Sequence, residues 1–461
     1  MKAFQGFLLF PLILSVLCFQ TSVAANDSLI LRKVDFHGSF KTQIPILFRA
    51  MKPIEEGMKI AIDDTTKIQN EIYKLLNNTE LFNDIQIEGS VIEAEYYLNI
   101  GIWERFPIIP EGDLSFADRN INVWMKERNF DLRRINIGIG ATHHNFLGKQ
   151  QKIGLFLQAG YTPKISVKYE NPYLDRQKIH GWGFETSWSA NKELVVATDN
   201  HKLVFYKNEN YFIYHHFEGL LFYQYKPDNI LEIQVASGLD WEQFHDEVFE
   251  NESDFMFPKQ NEYWTWKNRL KLSYNKVDHW NYPLTGWRAI METTFHIPLS
   301  NQEFYWPVSA QFDYYLPLSK RWYLSVIQRF NWNINQGGSY PFQQNLGYNQ
   351  HYIRGFESYV FDGQGFYLAR QNLKFLLLDW QYPLSWKYFE TIPLKILVKG
   401  FADQGVYWDN PLLKPSRYSE QALYSFGLGI DILTLYGLKF RIEYSLNNLY
   451  DSGFNFHRSG E

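Results

Sequence analysis

Residues 264–274 read WTWKNRLKLSY. Trp264, Trp266, Leu270 and Leu272 fall on one side of a two-residue repeat, and Thr265, Lys267, Arg269 and Lys271 on the other. Alternation of this kind marks an extended strand with one apolar and one wet face. The same rhythm runs outward from this stretch, from about residue 130 to the end. RRINIGIGAT alternates Ile135, Ile137 and Ile139, and KIGLFLQAGY alternates Ile153, Leu155 and Leu157. GWRAIMETTFHI and WPVSAQFDYYLPL repeat the scheme with Trp287, Ala289, Met291 and Phe295, then Trp306, Val308, Ala310 and Phe312. Short turn signals such as KNEN, KPDN and NQ separate the runs.

Two architectures produce such a series: a soluble β-sandwich, and a transmembrane barrel with a lipid face and a wet interior. Strand length separates them. The runs span about 10 residues or more, enough to cross a tilted bilayer, whereas strands of globular proteins run about 5 to 6. The 461-residue chain is 18% aromatic, with 37 Phe, 31 Tyr and 15 Trp. The rings cluster near run ends, as in YWTW, NQEFYW, KRWY and DWQYPLSWKY, where interfacial girdles belong. The mean hydropathy of −0.35 agrees, because half of each strand and every loop face water. The expected fold class is a transmembrane antiparallel β-barrel. From residue 107 to 461, at roughly 22 residues per strand with its connection, about 16 strands fit.

The N-terminal part has a different period. Residues 1–25 carry a lysine, an apolar core with Pro11, and small residues at Val23 and Ala25, the pattern of a removable secretory signal. Cys18 is the only cysteine, so the processed chain has no thiol for a disulfide or a thiolate metal site. Residues 29–104 read strand, helix, helix, strand, strand. Pro45 fits the first turn of one helix. Asp64 stands where it would cap a second helix carrying Ile68, Ile72, Leu75 and Leu76. Tyr96, Leu98, Ile100 and Ile102 line one face of the last strand.

Other chemistries find little support. The net charge is −5, with no basic runs, which excludes a nucleic-acid footprint. The neighbours His245–Asp246 and Asp278–His279 suggest a hydrolytic dyad, but adjacent strand residues point to opposite faces. His143–His144 and His215–His216 fail as metal sites for the same reason. No nucleophile elbow, phosphate loop or paired-carboxylate motif is present, so neither a catalytic residue, a metal nor a cofactor is expected.

YIRGFESYVFDGQGFYLARQNLKF, residues 352–375, sets an arginine and aromatics among glycines. Its IRGF followed by DGQGFYLARQNLKF resembles the sixth-loop signature of the BamA-type outer-membrane assembly and translocation superfamily. THHNFLGKQQKIGLFLQAG with VKYENPYL resembles that family's early barrel strands, and FADQGVYW the strand segment facing the loop. Residues 26–106 resemble one POTRA module, with 107–461 as the barrel and a luminal loop near 332–366. The resemblance implies that Arg354 pairs inside the barrel with Asp403, ahead of Gly405, that Gly355 permits the turn presenting it, and that Phe356 fills the space beneath. Where relatives carry an acidic residue after the loop, this chain has Asn372, so one anionic partner is expected instead of two, which either weakens the plug or leaves Asp362 or Asp379 to compensate. The C-terminal GFNFH, with Gly453, Phe454 and Phe456, matches the family's last strand, although RSGE follows.

The resemblance further implies an outer-membrane location with the N-terminal domain in the periplasm, contact with outer-membrane lipids, and nascent outer-membrane or secreted proteins and periplasmic accessory proteins as partners. The expected function is insertion or translocation of other proteins by strand templating at the barrel seam and at a POTRA edge within Glu88–Trp103, without ATP. A dedicated exporter of one secreted protein and a passive structural barrel remain open beside it.

Overall fold

The computed structural model describes residues 28–457 apart from 118–123, 126–128, 252–255, 257, 336, 338, 349–350, 387–388, 411–420 and 435–438. The signal at 1–25, Cys18 and the terminal RSGE lie outside the described residues.

Residues 28–104 build a small sheet from β1 (Ser28–Ser39), β2 (Lys59–Ala61), β3 (Phe82–Ile92) and β4 (Glu95–Glu104), in the order β2-β1-β4-β3. Two helices, α1 (Ile44–Ala50) and α2 (Thr65–Asn77), share its apolar core. Ile68, Ile72 and Leu76 of α2 meet Leu98, Ile100 and Ile102 of β4 there, so the helical and the two-residue periods converge on one interior. Three details differ from the sequence reading. The added strand β2 follows Gly57, whose φ of +88° turns the chain back along β1. Asp64 makes no capping hydrogen bond; it ends a 3-10 turn, and its carboxylate meets Lys67 at 3.5 Å. Because β4 lies between β1 and β3, the open edge within Glu88–Trp103 is its β3 part alone.

The rest forms one sixteen-stranded antiparallel sheet running from Ile108–Phe116 to Ser452–His457. Trp264, Trp266, Leu270 and Leu272 are exposed on its outer face, as their alternation requires of a lipid-facing row. Of their inward alternates, Lys267 and Arg269 find charge partners. Lys267 Nζ lies 2.9 Å from Glu218, and Arg269 Nη2 lies 2.8 Å from Glu185, three strands away around the curved wall. Aromatic pairs stand near the strand ends: Trp241 with Trp264 and Phe295 with Trp306 at one end, Trp322 with Phe375 at the other. One ring cluster stands elsewhere: DWQYPLSW, residues 379–386, continues beyond the described residues of its neighbouring strands instead of ending flush with them.

Both ends of the barrel carry additional structure. The hairpin Glu193–Asp199 and Lys202–Lys207 folds over the end remote from the N-terminal unit. A buried ion pair of Glu193 with Arg134 at 2.5 Å anchors it, and Thr198 Oγ1 reaches the Tyr340 hydroxyl at 2.8 Å. At the opposite end the N-terminal unit sits on the turns between strands. Arg49 of α1 is 2% exposed, and its guanidinium donates to the carbonyls of Lys178, Lys226 and Asp228 and to Asn229 Oδ1. The end of α2 meets the turn after Val277: Asn78 Nδ2 donates to the Val277 carbonyl at 3.2 Å, and Asn77 lies 3.2 Å from His279 Nδ1. Between α2 and the inner wall is a polar chamber of about 1430 Å³.

Candidate functional site

The connection between strands Trp322–Asn333 and Gly365–Trp386 starts at the hairpin-covered end and turns back into the barrel. Its core is an apolar cluster of Leu346, Ile353, Phe356, Phe361, Phe366, Leu368, Tyr407 and Leu423. This cluster fixes the loop against the wall and leaves a deeply buried cation to be met: Arg354, 2% exposed.

Arg354 Nε donates to Asp403 Oδ2 at 2.8 Å, and Nη2 to Oδ1 at 2.5 Å, a two-point fork that only a guanidinium supplies. The Arg354 backbone N–H also donates to Oδ2 at 3.0 Å. Nη1 donates to Asn372 Oδ1 at 2.8 Å and to Glu443 Oε1 at 2.9 Å. The guanidinium lies 3.8 Å from the ring centroid of Phe401, so its apolar face is covered as well. Taking these charges out of water costs several kcal/mol per ion, and a full set of hydrogen bonds is what offsets that cost.

Two glycines make the approach sterically feasible. Gly355 has φ +89°, a left-handed conformation that strains other residues, and Asn447 Nδ2 donates to its carbonyl at 2.7 Å. A Cβ on Gly405 would come within 2.8 Å of Ile353 Cδ1, so the wall must be bare where the loop packs.

The structure therefore brings Arg354, Gly355, Asn372, Asp403 and Gly405 together, and it corrects two expectations. Arg354 has a second anion, Glu443, on strand Lys439–Asn447, and neither proposed compensator is involved. Asp362 accepts from the Tyr348 hydroxyl, while Asp379 pairs with Lys395 at 3.3 Å. The ring beneath the guanidinium is Phe401; Phe356 is buried in the apolar cluster instead. Glu443 had a sequence signal, because Arg441, Glu443 and Ser445 alternate with the exposed Phe440, Ile442 and Tyr444.

The charges continue beyond the loop. Lys399 Nζ bridges Glu443 at 2.8 Å and Asp431 at 2.9 Å, and Arg441 Nε meets Asp431 at 2.9 Å. Tyr282, from the turn that touches α2, donates its hydroxyl to Asp431 at 2.6 Å. Neither Arg49 nor Tyr282 had a sequence signal, since their partners are backbone carbonyls or lie 149 residues away.

The remaining residues singled out in the sequence lie apart from this network. Gly453 pairs in register with Ser445 on the last strand, and nothing lies within 4 Å of where its Cβ would be. Phe454 is exposed on the outer face, and Phe456 pairs in register with Ile442. The doublets His245–Asp246 and Asp278–His279 occupy connections, not strands, so opposite strand faces are not what separates them. His215 stacks on the outward Trp188, while His216 turns inward. There Glu218 and Asp240 complete a cluster with His216, but Lys267 lies 2.9 Å from Glu218 and 3.4 Å from Asp240, so an ion-pair network engages both carboxylates.

Comparison with known proteins agrees with this geometry. A family model described as the Omp85 superfamily domain matches residues 145–365. No curated protein matches the chain. Among solved structures, BamA from Haemophilus ducreyi lacking POTRA domains 1–3 aligns at 15% identity and TM-score 0.53, covering 93% of this chain and 84% of that one. CdiB from Escherichia coli aligns at 14% identity and TM-score 0.53, covering 93% and 75%. CdiB from Acinetobacter baumannii gives 11% identity and TM-score 0.50, covering 93% and 73%.

Sixteen antiparallel strands around an inward loop place the chain in the class of outer-membrane β-barrels. Across residues 145–365 the chain is similar to the Omp85 superfamily domain, and its fold is similar to that of the BamA and CdiB barrels.

Proposed function

We propose that the protein inserts or translocates other proteins at the outer membrane by offering exposed strand edges to them, with no nucleotide and no covalent step. The carrying observation is the state of the end strands. Ser452–His457 pairs with its neighbour over only six positions, Arg441–His457 to Leu446–Ser452. Among the described residues, no pairing joins it to Ile108–Phe116 at the other end of the sheet. An end strand held by so few backbone hydrogen bonds is one at which an incoming strand competes. Nothing lies within 4 Å of where a Cβ on Gly453 would be, so that position adds no side-chain packing to the pairing.

In this reading residues 28–104 are a POTRA-like module in the periplasm, and β3 is a second templating edge. The loop carrying Arg354, Gly355 and Phe356 is a luminal plug, latched by Asp403, Asn372 and Glu443 and given room by Gly405. Clients are nascent outer-membrane or secreted proteins, with periplasmic accessory proteins able to dock on the module. Depleting the protein and quantifying the outer-membrane proteome tests the proposal. Broad loss of barrels supports general assembly, and loss of one secreted protein means dedicated export. An unchanged proteome contradicts both.

A further inference from the structure

Strands Gly365–Trp386 and Phe389–Trp408 are the longest in the sheet, at 22 and 20 residues, and their neighbours stop early. The preceding strand pairs with the first only as far as Phe375, and the following strand with the second only from Lys395. Register between the two arms continues from Leu376–Leu397 to Trp386–Phe389. Among the described residues, 376–386 and 389–394 are thus two paired arms of a ribbon with no further strand beside them, the first arm about 33 Å long at ~3.3 Å per residue. It projects at the end of the barrel where the N-terminal unit sits, past the ring pair Trp322–Phe375.

The ribbon has two unlike faces. Leu378, Trp380 and Tyr382 lie opposite Ile396, Leu394 and Ile392 in the register, and the Trp380 and Tyr382 rings touch edge-on at 5.6 Å between centroids. Asp379 and Gln381 lie opposite Lys395 and Pro393, and the Asp379–Lys395 ion pair occupies that second face. Trp380 and Tyr382 are each 50% exposed. A two-stranded ribbon with nothing over its apolar face is only marginally stable in water.

We propose that this ribbon is a membrane-surface paddle whose apolar face lies against phospholipid of the periplasmic leaflet. Continuity with the barrel's lipid-facing surface selects lipid as the occupant. Along the first arm the outward row is Leu373, Phe375 and Leu377, on odd positions. A one-residue bulge between Leu376 and Leu378 then shifts the phase, so that Leu378, Trp380 and Tyr382 continue the same outward row on even positions. On the second arm Val398, Ile396 and Leu394 keep that row without interruption. Tryptophan and tyrosine are the residues that favour the lipid headgroup region. The charged face is internally paired and turns toward water. A client strand, by contrast, would read the backbone edges and not this face.

The inference rests on the membrane barrel and not on the insertion role. The test uses the full chain with Cys18→Ser and single cysteines at Leu373, Leu378, Asp379, Trp380, Gln381 or Tyr382. Each carries an environment-sensitive fluorophore, in vesicles of phosphatidylethanolamine and phosphatidylglycerol doped with nitroxide-labelled phosphatidylcholine. Quenching at 373, 378, 380 and 382 is expected to exceed that at 379 and 381 by about twofold or more, following the strand period. Quenching at 373 with none on the ribbon, or equal quenching at 378 through 382, overturns the paddle and leaves the barrel standing; the first outcome points to a protein partner for that face. Absence of quenching at 373 as well overturns the membrane reading and the paddle with it.

Discussion

The Tyr282 hydroxyl donates to the Asp431 carboxylate at 2.6 Å, joining a turn at the mouth of the barrel to the charges that hold the luminal loop. From Asp431 the contacts pass through Lys399 to Glu443 and on to Arg354. On the other side of the turn, Asn281 Nδ2 donates to Glu80, just past α2, at 3.0 Å. The N-terminal unit and the loop therefore share one continuous polar path. Replacing Tyr282 by Phe removes a hydrogen bond to a charged acceptor, a loss of about 1.5–3 kcal/mol. The variant is expected to assemble as a barrel with a lower unfolding midpoint in detergent, and limited proteolysis is expected to cleave its 334–364 loop faster.

The latch itself predicts strong non-additivity. Arg354→Ala leaves Asp403 and Glu443 buried without their guanidinium, a loss of roughly 3–5 kcal/mol. Asp403→Ala strands the arginine at a similar cost. The double variant Arg354→Ala/Asp403→Ala is expected to lose clearly less than the sum, as residues in one network do. Arg354→Lys keeps the charge and loses the fork, and is expected to fall between wild type and Arg354→Ala. Denaturant unfolding of wild type and the four variants in one detergent measures each term.

Acidification should loosen the seat of the N-terminal unit. Burial holds the His279 imidazole below its ordinary pKa of 6.5, an effect the Asp278 carboxylate only partly opposes. A group whose folded pKa is depressed contributes stability above its unfolded value, and that contribution is lost as pH falls through the folded one. The direction fits the contact, because only neutral Nδ1 accepts from the Asn77 amide at 3.2 Å. Spin-label distances between α2 and the barrel should broaden as pH drops below about 6.5. His279→Gln should remove that dependence.

Arg49 is the strongest single hold on the same unit, since it donates to three carbonyls and one amide oxygen of two turns. Arg49→Ala leaves those acceptors without a donor at a buried contact, at about 1–3 kcal/mol for each buried group left unsatisfied. Hydrogen exchange is expected to rise at residues 172–179 and 226–230 and in α1, with the sheet beyond them unchanged.

The period-two runs made the barrel readable, because a chain with lipid on one side and water on the other must alternate wherever it crosses. The arginine latch was readable in part. Arg354 and Asp403 stand in short motifs whose glycines, Gly355 and Gly405, are demanded by a left-handed turn and a close approach. Glu443 and Phe401 were missed although each follows the inward phase of its strand. Alternation tells which face a side chain takes, but not which strand it meets across a lumen. Arg49 was unreadable for another reason: its partners are backbone carbonyls, which any residue offers. The ribbon was misplaced because DWQYPLSWKY has a girdle's composition, and only the register shows that the neighbouring strands stop before it.

Planar-bilayer conductance of the purified protein tests the latched loop most directly, with wild type and Arg354→Ala measured side by side. Wild type should hold a closed baseline with rare, brief openings, and the variant should show frequent, long-lived open levels. Steady open conductance in wild type, unchanged by Arg354→Ala, would contradict a barrel closed from within by that arginine.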